Sequence, residues 1–274
     1  MAKRQIQFPD CWEEVTPEEW VYLLYLRSKL INMRGVNIDD VKRMWCSSVL
    51  KMRGFRHSNK KDDLVLIYRL SQTLDWQWTV DDSSISLNFD STVNLLPQWN
   101  DLIGPASHGA DMTFGEFRYA VIMMNEYTTS QDIMFLNSLC AVLYRKADKK
   151  GKRSRFNQDA IQSSLPDIEK IPEYVRWGIY AWFASFCKFL FTGTFILDGC
   201  EICFAPVFGS SGNDYTPEQS LGMNSILFSV AESGVFGSIE DVDNTQLMRV
   251  LLKLLDDKQK ADSLLKQTKK NDIQ

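Results

Sequence analysis

The feature that most constrains the fold is a long aromatic segment at residues 172–191. Its apolar side chains occur around most of a helical circumference, and such a helix must be covered on nearly all sides. Residues 177–197 approach the length of a membrane span, but Lys188, Gly193 and three hydroxyl side chains interrupt them. We therefore expect a core helix that runs into a strand. A membrane span and an exposed oligomer face are the alternatives.

Composition places the chain among ordinary globular proteins. Its 274 residues are 45% hydrophobic and 24% charged, which is enough to build one large domain or two small ones. The formal net charge of −4 is too small to indicate a nucleic-acid-binding protein from the total alone. No apolar signal segment follows Met1, so we expect a soluble, cytosolic protein whose six cysteines are free thiols.

Helix-start patterns recur along the chain. Thr16 begins a Thr-Pro-Glu-Glu sequence in which Glu19 completes a capping box, and this predicts a helix to about Met33. Thr113 and Glu116 form the same pattern at a later helix. Four more helices are predicted to start at Asn37, Asp62, Ser130 and Thr216. A short helix is predicted after the basic residues 145–155, followed by the aromatic helix at 172–191. The last predicted helix starts near Asn244 and continues as a charged helix through Leu265.

Two short stretches show the alternation that is typical of strands. Trp76 and Trp78 begin the first one, which continues after a four-residue loop at 81–84. The second contains an Asp-Gly pair that suits a type I′ turn. A lone hairpin is unstable in water, so each needs helices under its apolar face. The predicted fold is mainly α: a helical globular body with two small β-hairpins, at about 74–90 and 194–205.

The sharpest change in composition is a basic segment at residues 145–155. It holds seven Lys or Arg and one Asp, hence a charge of +6; because the whole chain carries −4, the rest carries −10. We expect an exposed, mobile loop or linker whose Lys149, Lys150, Lys152 and Arg153 charges can be removed without loss of stability. The predicted division is an N-terminal helical region with a hairpin at 1–145, a basic linker at 146–155, a C-terminal helical region with a hairpin at 156–258, and a charged tail at 259–274.

The basic segment also contains the candidate partner-binding residues. A cluster of cations suits nucleic acid or an acidic protein surface. Phe156, which follows it, is the nearby aromatic residue considered for stacking, and one such ring gives poor support for binding single-stranded bases. A solvated linker without a partner is the alternative. The candidates are Lys146, Lys149, Lys150, Lys152, Arg153 and Arg155.

Residue types that carry chemistry are sparse. His57 and His108 fall in unrelated loops, which disfavours a histidine-based triad or metal site. Cys200 and Cys203 have CxxC spacing, but on a strand they would point to opposite faces. The sequence has no phosphate-binding glycine loop and no nucleophile elbow. We therefore predict no enzymatic activity, no bound metal and no cofactor.

Five short phrases are spread over most of the chain. Residues 8–20, Phe-Pro-Asp-Cys-Trp-Glu-Glu-Val-Thr-Pro-Glu-Glu-Trp, resemble the opening of proteins encoded by phages and prophages of Bacteroides-type bacteria. Gly-Pro at 104–105, Thr-Phe-Gly-Glu-Phe at 113–117 and Leu-Tyr-Arg at 143–145 are similar to the middle of that group, and residues 231–237 to its end. The resemblance implies a protein of a phage structural or tail-assembly gene cluster, and it assigns no functional residues.

The favoured hypothesis is a non-enzymatic phage or prophage assembly factor or minor structural protein, such as a tail-assembly chaperone. Such a protein would bind protein partners, for example tail or tape-measure components, through apolar grooves and without a cofactor. It would act in the bacterial host cytosol, and its presence in the virion is left open. Two alternatives remain: a nucleic-acid-associated protein that uses the basic segment, and an enzyme of unknown type.

Overall fold

The computed structural model describes residues 6–33, 35–55, 61–81, 84–197, 199–208 and 223–271. Over these residues the protein is mainly α-helical and contains two small antiparallel β-hairpins, so the predicted fold class is confirmed. The sequence-based expectations at His57, at Asp198 and for a loop and helix start within 209–222 lie outside the described residues.

The chain forms two compact units. The first contains residues 1–96 and 169–185, and the second contains residues 97–168 and 186–274. The basic segment therefore lies inside the second unit.

Side-chain caps begin the first two helices as predicted. The Thr16 hydroxyl accepts the N–H of Glu19 at 3.3 Å, and the Glu19 carboxylate accepts the N–H of Thr16 at 3.0 Å. This complete capping box starts α1 (Pro17–Asn32). Asn37 caps α2 (Ile38–Met52) with its own side chain. Each cap satisfies backbone donors that a helix end leaves unpaired.

Tryptophans fill the core of the first unit around a buried glutamate. Trp12 and Trp20 pack edge to face, with ring centroids 5.2 Å apart. The Trp45 indole N–H donates to the backbone carbonyl of Glu19 at 3.0 Å. Arg53 donates to both carboxylate oxygens of Glu19, at 2.7 and 2.8 Å. Glu19 therefore starts α1 and also binds the residue that ends α2.

The first hairpin follows α3 (Lys61–Ser71) and consists of β1 (Trp78–Asp81) and β2 (Ser84–Leu87). Trp78 lies opposite Leu87, and both are buried, whereas the outer end of the hairpin is exposed. Trp76 belongs to a 3₁₀ turn before β1 rather than to the strand. The predicted four-residue loop was also wrong, because its first and last residues pair within the strands.

The predicted core helix is α7 (Glu173–Thr192). In the first unit Gly178 lies against Leu24, so closely that a Cβ on this glycine would come within 2.4 Å of the leucine side chain. The Trp182 indole N–H donates to the carbonyl of Thr92 at 3.1 Å. In the part of the chain that the structure describes, none of the helices has the length and apolarity that crossing a membrane requires.

The second unit combines helices with short strands. A three-stranded antiparallel sheet, in the order β3-β4-β5, was not predicted because strands of two residues show no alternation. The elements besides the end of α7 are β3 (Gln98–Trp99), β4 (Leu102–Ile103), α4 (Phe114–Ser130), α5 (Ile133–Leu143), β5 (Arg145–Lys146), α6 (Ile161–Ile168), β6 (Thr194–Leu197), β7 (Cys200–Cys203), α8 (Ala205–Phe208), α9 (Met223–Glu232), α10 (Ile239–Asn244) and α11 (Leu247–Asn271).

Two predicted helix starts in this unit need correction, and a third, at Thr113, is correct but lacks half of its predicted capping box. Ser130 ends α4, and Asp132 caps α5 by accepting the N–H of Met134 at 2.9 Å. The last helix begins at Leu247, because the separate helix α10 occupies the residues before it. The capping box at α4 is half formed: Thr113 accepts a backbone N–H, but the carboxylate expected to complete the box is bound elsewhere.

Helix α11 changes character along its length. Leu247, Val250, Leu251 and Leu255 are buried. From residue 256 to residue 268 the side chains are exposed or half-buried. Pairs four residues apart connect the turns of this part: Lys253 with Asp257, Lys258 with Asp262, and Lys260 with Asp256. The predicted continuation as a charged helix through Leu265 agrees with this structure.

Candidate binding sites

The basic segment folds as a β-hairpin, which we call the basic hairpin (residues 145–155). Ala147 forms a β-bridge with Arg153 across it. At its tip the Asp148 N–H donates to the carbonyl of Lys152 at 2.7 Å, and the Asp148 carboxylate accepts the N–H groups of Lys150 and Lys152. Gly151 has a φ of +73°, a conformation that glycine adopts without strain. An ordered turn therefore replaces the expected mobile loop.

Two arginines of the basic hairpin point inward. Arg153 donates to both carboxylate oxygens of Glu116 and to the carbonyl of Leu143. Arg145 lies 3.2 Å from the same carboxylate. The side chains of Glu116 and Arg153 are only 1% and 4% exposed. The expectation that every cation of this segment is solvated is therefore wrong for Arg145 and Arg153, and Arg153 is already engaged within the chain.

Other carboxylates of the second unit face further cations of the basic hairpin. Lys146 pairs with Asp167 at 2.6 Å, and this bond raises the pKa of Lys146. Arg153 reaches Asp111 at 3.1 Å. The pKa of Asp241 is lowered, mainly by hydrogen bonds from Ser238 and to a small extent by the charge of Arg155. Much of the +6 counted from the sequence is thus compensated inside the second unit.

The tip of the basic hairpin is its freely presented part. Lys149, Lys150 and Lys152 are exposed, and none of them pairs with a carboxylate among the described residues. Lys146 and Arg155 are also exposed, at the base. Of the six candidate partner-binding residues, five thus face solvent; whether they contact a partner stays a prediction.

A small pocket of about 260 Å³ lies beside the base of the basic hairpin. Its wall combines cationic, amide and hydroxyl side chains with a few apolar ones. Burial lowers the pKa of Arg145, and the nearby Glu116 carboxylate opposes this effect. The lining residues are Leu102, Tyr144, Arg145, Lys146, Ser154, Arg155, Asn157, Ala160, Ser163, Ser164 and Asp167.

The first unit contains a larger groove of about 680 Å³, which we call the α1–α3 groove. Side chains of α1, α2 and α3 line it, and they are mostly apolar or uncharged. Its charged lining residues are two cations, and no carboxylate lines it among the described residues. The lining residues are Tyr22, Arg43, Met44, Ser47, Ser48, Lys51, Leu64, Ile67 and Tyr68.

Helix α3 presents exposed apolar side chains at this groove. Leu64 is 55% exposed and Tyr68 is 54% exposed, and Met44 on α2 is exposed as well. Val65 and Leu66 are also exposed on α3. Single exposed apolar residues are ordinary, but a contiguous group of them marks an interaction surface. The groove was not predicted, and the sequence signal that indicates it is the uninterrupted apolar run at residues 64–68.

The cysteines form no paired site. Cys200 and Cys203 are both exposed on β7, opposite Leu197 and Thr194 of β6. Burial raises the pKa of the Cys46 thiol to about 12 and also raises that of Cys187.

One cluster was not predicted from the sequence. Ligand atoms of Asp10, Cys11 and Glu14 lie within 4.8 Å of one another. The Glu14 carboxylate already accepts hydrogen bonds from the side chain of Gln7 and from the backbone of Asp10. Burial raises the pKa of the Cys11 thiol, which disfavours the thiolate that a metal needs. We assign no site to this cluster.

No family model, no curated protein and no solved structure matches this chain. We therefore infer its function from its own surfaces.

Proposed function

We propose that this protein is a non-enzymatic binding protein whose α1–α3 groove accepts an amphipathic helix of a protein partner. The observation that carries the proposal is the groove itself, about 680 Å³ in volume with exposed Leu64, Tyr68 and Met44 at its surface. Apolar grooves between helices commonly accept the apolar face of a partner helix. Removing such surface from water contributes about 25 cal/mol per Å².

The charge of the groove specifies the partner further. Lys51 and Arg43 are its charged lining residues, and Arg43 already pairs with Asp40 at 2.8 Å on the same helix. A partner helix with carboxylates beside its apolar residues would place a negative charge next to the positive charge of Lys51. Charges at the rim of an interface chiefly affect the association rate and the choice of partner. We therefore expect an acidic amphipathic helix rather than a basic one.

The biological role that we propose for this groove is that of a phage or prophage assembly factor. It rests on the resemblance of residues 8–20 and 231–237, among other phrases, to proteins of phage tail-assembly clusters. An assembly chaperone acts by covering an apolar segment of a structural protein, and the α1–α3 groove offers a surface for such a segment. The expected partners are tail or tape-measure components, met in the host cytosol.

A fluorescently labelled model peptide tests the groove directly. The peptide carries Leu at positions i, i+3, i+4 and i+7 and Glu on its other faces, and anisotropy reports its binding. We expect binding that Leu64→Glu weakens at least tenfold. Ile196→Glu, at an exposed apolar residue of β6, is the matched control and should leave binding unchanged. A basic peptide with the same Leu spacing should bind less well.

Two results would contradict the proposal that the α1–α3 groove binds an acidic amphipathic helix. One is equal binding by the Leu64→Glu variant and the parent protein. The other is absence of any saturable binding of the acidic peptide.

A second candidate function is contact with a polyanion through the tip of the basic hairpin. Lys149, Lys150 and Lys152 are exposed there on one ordered turn, which favours electrostatic contact with phosphates. The net negative charge of the rest of the chain opposes the approach of a polyanion. We therefore rank this function below binding through the α1–α3 groove.

A further inference from the structure

We propose that the pocket at the base of the basic hairpin binds a small phosphate-type oxyanion. The anion could arrive as inorganic phosphate or as the phosphate group of a small molecule, since the recognised chemistry is the same. This site lies in the second unit and is independent of the α1–α3 groove. Its support comes from the charge, the donors and the size of the pocket.

Positive charge dominates the wall of the pocket. Arg145, Lys146 and Arg155 line it, whereas Asp167 is its only acidic lining residue among those described. Asp167 is bound by Lys146 at 2.6 Å, so its negative charge is already matched. Asp101 also lies 3.9 Å from the Lys146 ammonium group. An entering anion would therefore meet Arg155, the lining cation that makes no ion pair among the described residues.

Arg145 provides a charge that is fixed in place. Its Nε donates to the carbonyl of Ser154 at 2.8 Å, and its other nitrogens reach the carbonyl of Val142 and the Glu116 carboxylate. Glu116 is shared with Arg153, so one buried carboxylate faces two guanidinium groups. Arg153 also pairs with Asp111 at 3.1 Å, so two carboxylates balance the two guanidinium groups. Arg145 therefore contributes a guanidinium that does not have to be ordered on binding, rather than an uncompensated charge.

Arg155 is the residue that we expect to hold the anion. Among the described residues it makes no hydrogen bond or ion pair, and the Asp241 carboxylate that senses its charge is held by Ser238. A guanidinium offers planar, paired donors that match two oxygens of a phosphate.

The neighbouring polar side chains divide into donors and non-donors. The Asn157 side-chain oxygen accepts the N–H of Asp159 at 2.9 Å, which leaves the amide hydrogens of Asn157 to donate. The Ser163 and Ser164 hydroxyls already donate to the carbonyl of Ala160, so they add no donors. The proposed donors are therefore Arg155, Lys146 and Asn157.

The size of the pocket limits the ligand. Sites for drug-sized molecules and cofactors have about 300–1,000 Å³. A pocket of about 260 Å³ lies just below that range and suits a single phosphate group. Leu102 and Tyr144 give it an apolar wall that excludes some water, and this strengthens charge-assisted hydrogen bonds inside it.

Isothermal titration of the full chain with inorganic phosphate tests the site, with chloride at equal ionic strength as the reference. A hexose monophosphate and a nucleoside monophosphate form the second arm. We expect saturable binding of at least one of these probes, and a loss of at least tenfold in affinity in Arg155→Gln. Lys188→Gln removes one positive charge at an exposed position of α7 and should change affinity less than twofold.

Each outcome decides the question. Binding of phosphate, or of a monophosphate alone, supports the site if it depends on residue 155, and the two cases identify the source of the anion. Equal losses in both variants would indicate general charge screening and overturn it, as would no binding of any probe. Arg155→Lys keeps the charge without the paired donors and should bind with intermediate affinity. Thermal melts of the variants should match the parent, because Arg155 is exposed.

Discussion

The guanidinium of Arg153 and the carboxylate of Glu116 form a buried, doubly hydrogen-bonded ion pair between residues that lie 37 positions apart in the sequence. The pair joins one arm of the basic hairpin to the first turn of α4. A buried pair of this kind contributes little net stability compared with an apolar pair, but removing one partner leaves an uncompensated buried charge.

Loss of this ion pair should therefore destabilise the protein strongly. We expect Arg153→Gln to lower the free energy of unfolding by about 3–5 kcal/mol, as measured by urea denaturation. The triple variant Lys149→Gln/Lys150→Gln/Lys152→Gln should stay within about 0.5 kcal/mol of the parent, because these side chains are exposed. Equal stability of the Arg153→Gln variant and the parent would contradict the buried position of Arg153.

The hairpin of β1 and β2 should have a stabilising inner end and a neutral outer end. Trp78→Ala removes a buried ring and should cost about 3–5 kcal/mol. Trp76→Ala should also lower stability, because the Trp76 ring packs on Trp12 with centroids 4.8 Å apart. Ile85→Ala, at the exposed outer end, is the control and should change stability by less than about 0.5 kcal/mol. If Ile85→Ala lowered the melting temperature and the two tryptophan variants did not, the outer end of the hairpin would be the stabilising one.

Gln77 should be replaceable by an apolar residue with a gain in stability. Its side chain is fully buried, and neither its amide nitrogen nor its amide oxygen has a hydrogen-bond partner among the described residues. A buried polar group without a partner costs about 1–3 kcal/mol. We expect Gln77→Met to raise the urea midpoint, while Gln72→Met, at an exposed site nearby, should not. A lower midpoint for Gln77→Met would show that the amide is bonded in solution.

The cysteine thiols should react with a disulfide reagent at two different rates, one fast and one slow. Cys200 and Cys203 are exposed, whereas Cys46 and Cys187 are buried and burial raises their pKa values. The thiolate is the reactive form. With a chromogenic disulfide reagent near neutral pH we expect the fast phase to disappear in Cys200→Ser/Cys203→Ser. The half-buried Cys11, whose pKa burial also raises, should react more slowly than these two thiols. In urea the remaining thiols should all react. A fast phase that persists in the folded double variant would place a reactive thiol elsewhere.

The tip of the basic hairpin should bind random nucleic acid weakly near physiological salt. The negative charge of the rest of the chain opposes a polyanion, and few phosphates are neutralised by three lysines. Anisotropy titration with duplex DNA and single-stranded RNA measures this. Submicromolar binding that the triple variant Lys149→Gln/Lys150→Gln/Lys152→Gln abolishes would instead favour the nucleic-acid function over the α1–α3 groove.

Local signals in the sequence were sufficient for much of the fold. Thr16 and Asn37 cap the helices that they were predicted to cap, since a cap depends only on residues within one turn. The aromatic helix α7 and the paired strands β6 and β7 also lie where the sequence pattern predicted them. Residues close together in the sequence were enough to predict these features.

The errors arose where a distant partner decides the outcome. Glu116 stands at the correct position for a capping box, but its carboxylate binds Arg145 and Arg153 instead of the backbone N–H of Thr113. The basic segment appeared solvated because its acidic partners, Asp111 and Asp167 among them, lie outside it in the sequence. The α1–α3 groove depends on how three helices pack, and no local pattern specifies that.

The outer part of α11 has a consequence for any measurement of stability. Beyond Leu255 it continues through residues 256–271, about 24 Å of helix at 1.5 Å per residue. Its described side chains, at 256–268, form ion pairs and are not buried. Such a segment unravels at lower temperature than a packed core, and earlier still when salt screens its charges. Far-ultraviolet circular dichroism should therefore begin to fall before tryptophan fluorescence changes. The two melting curves would then differ even if the core itself unfolds in a single step.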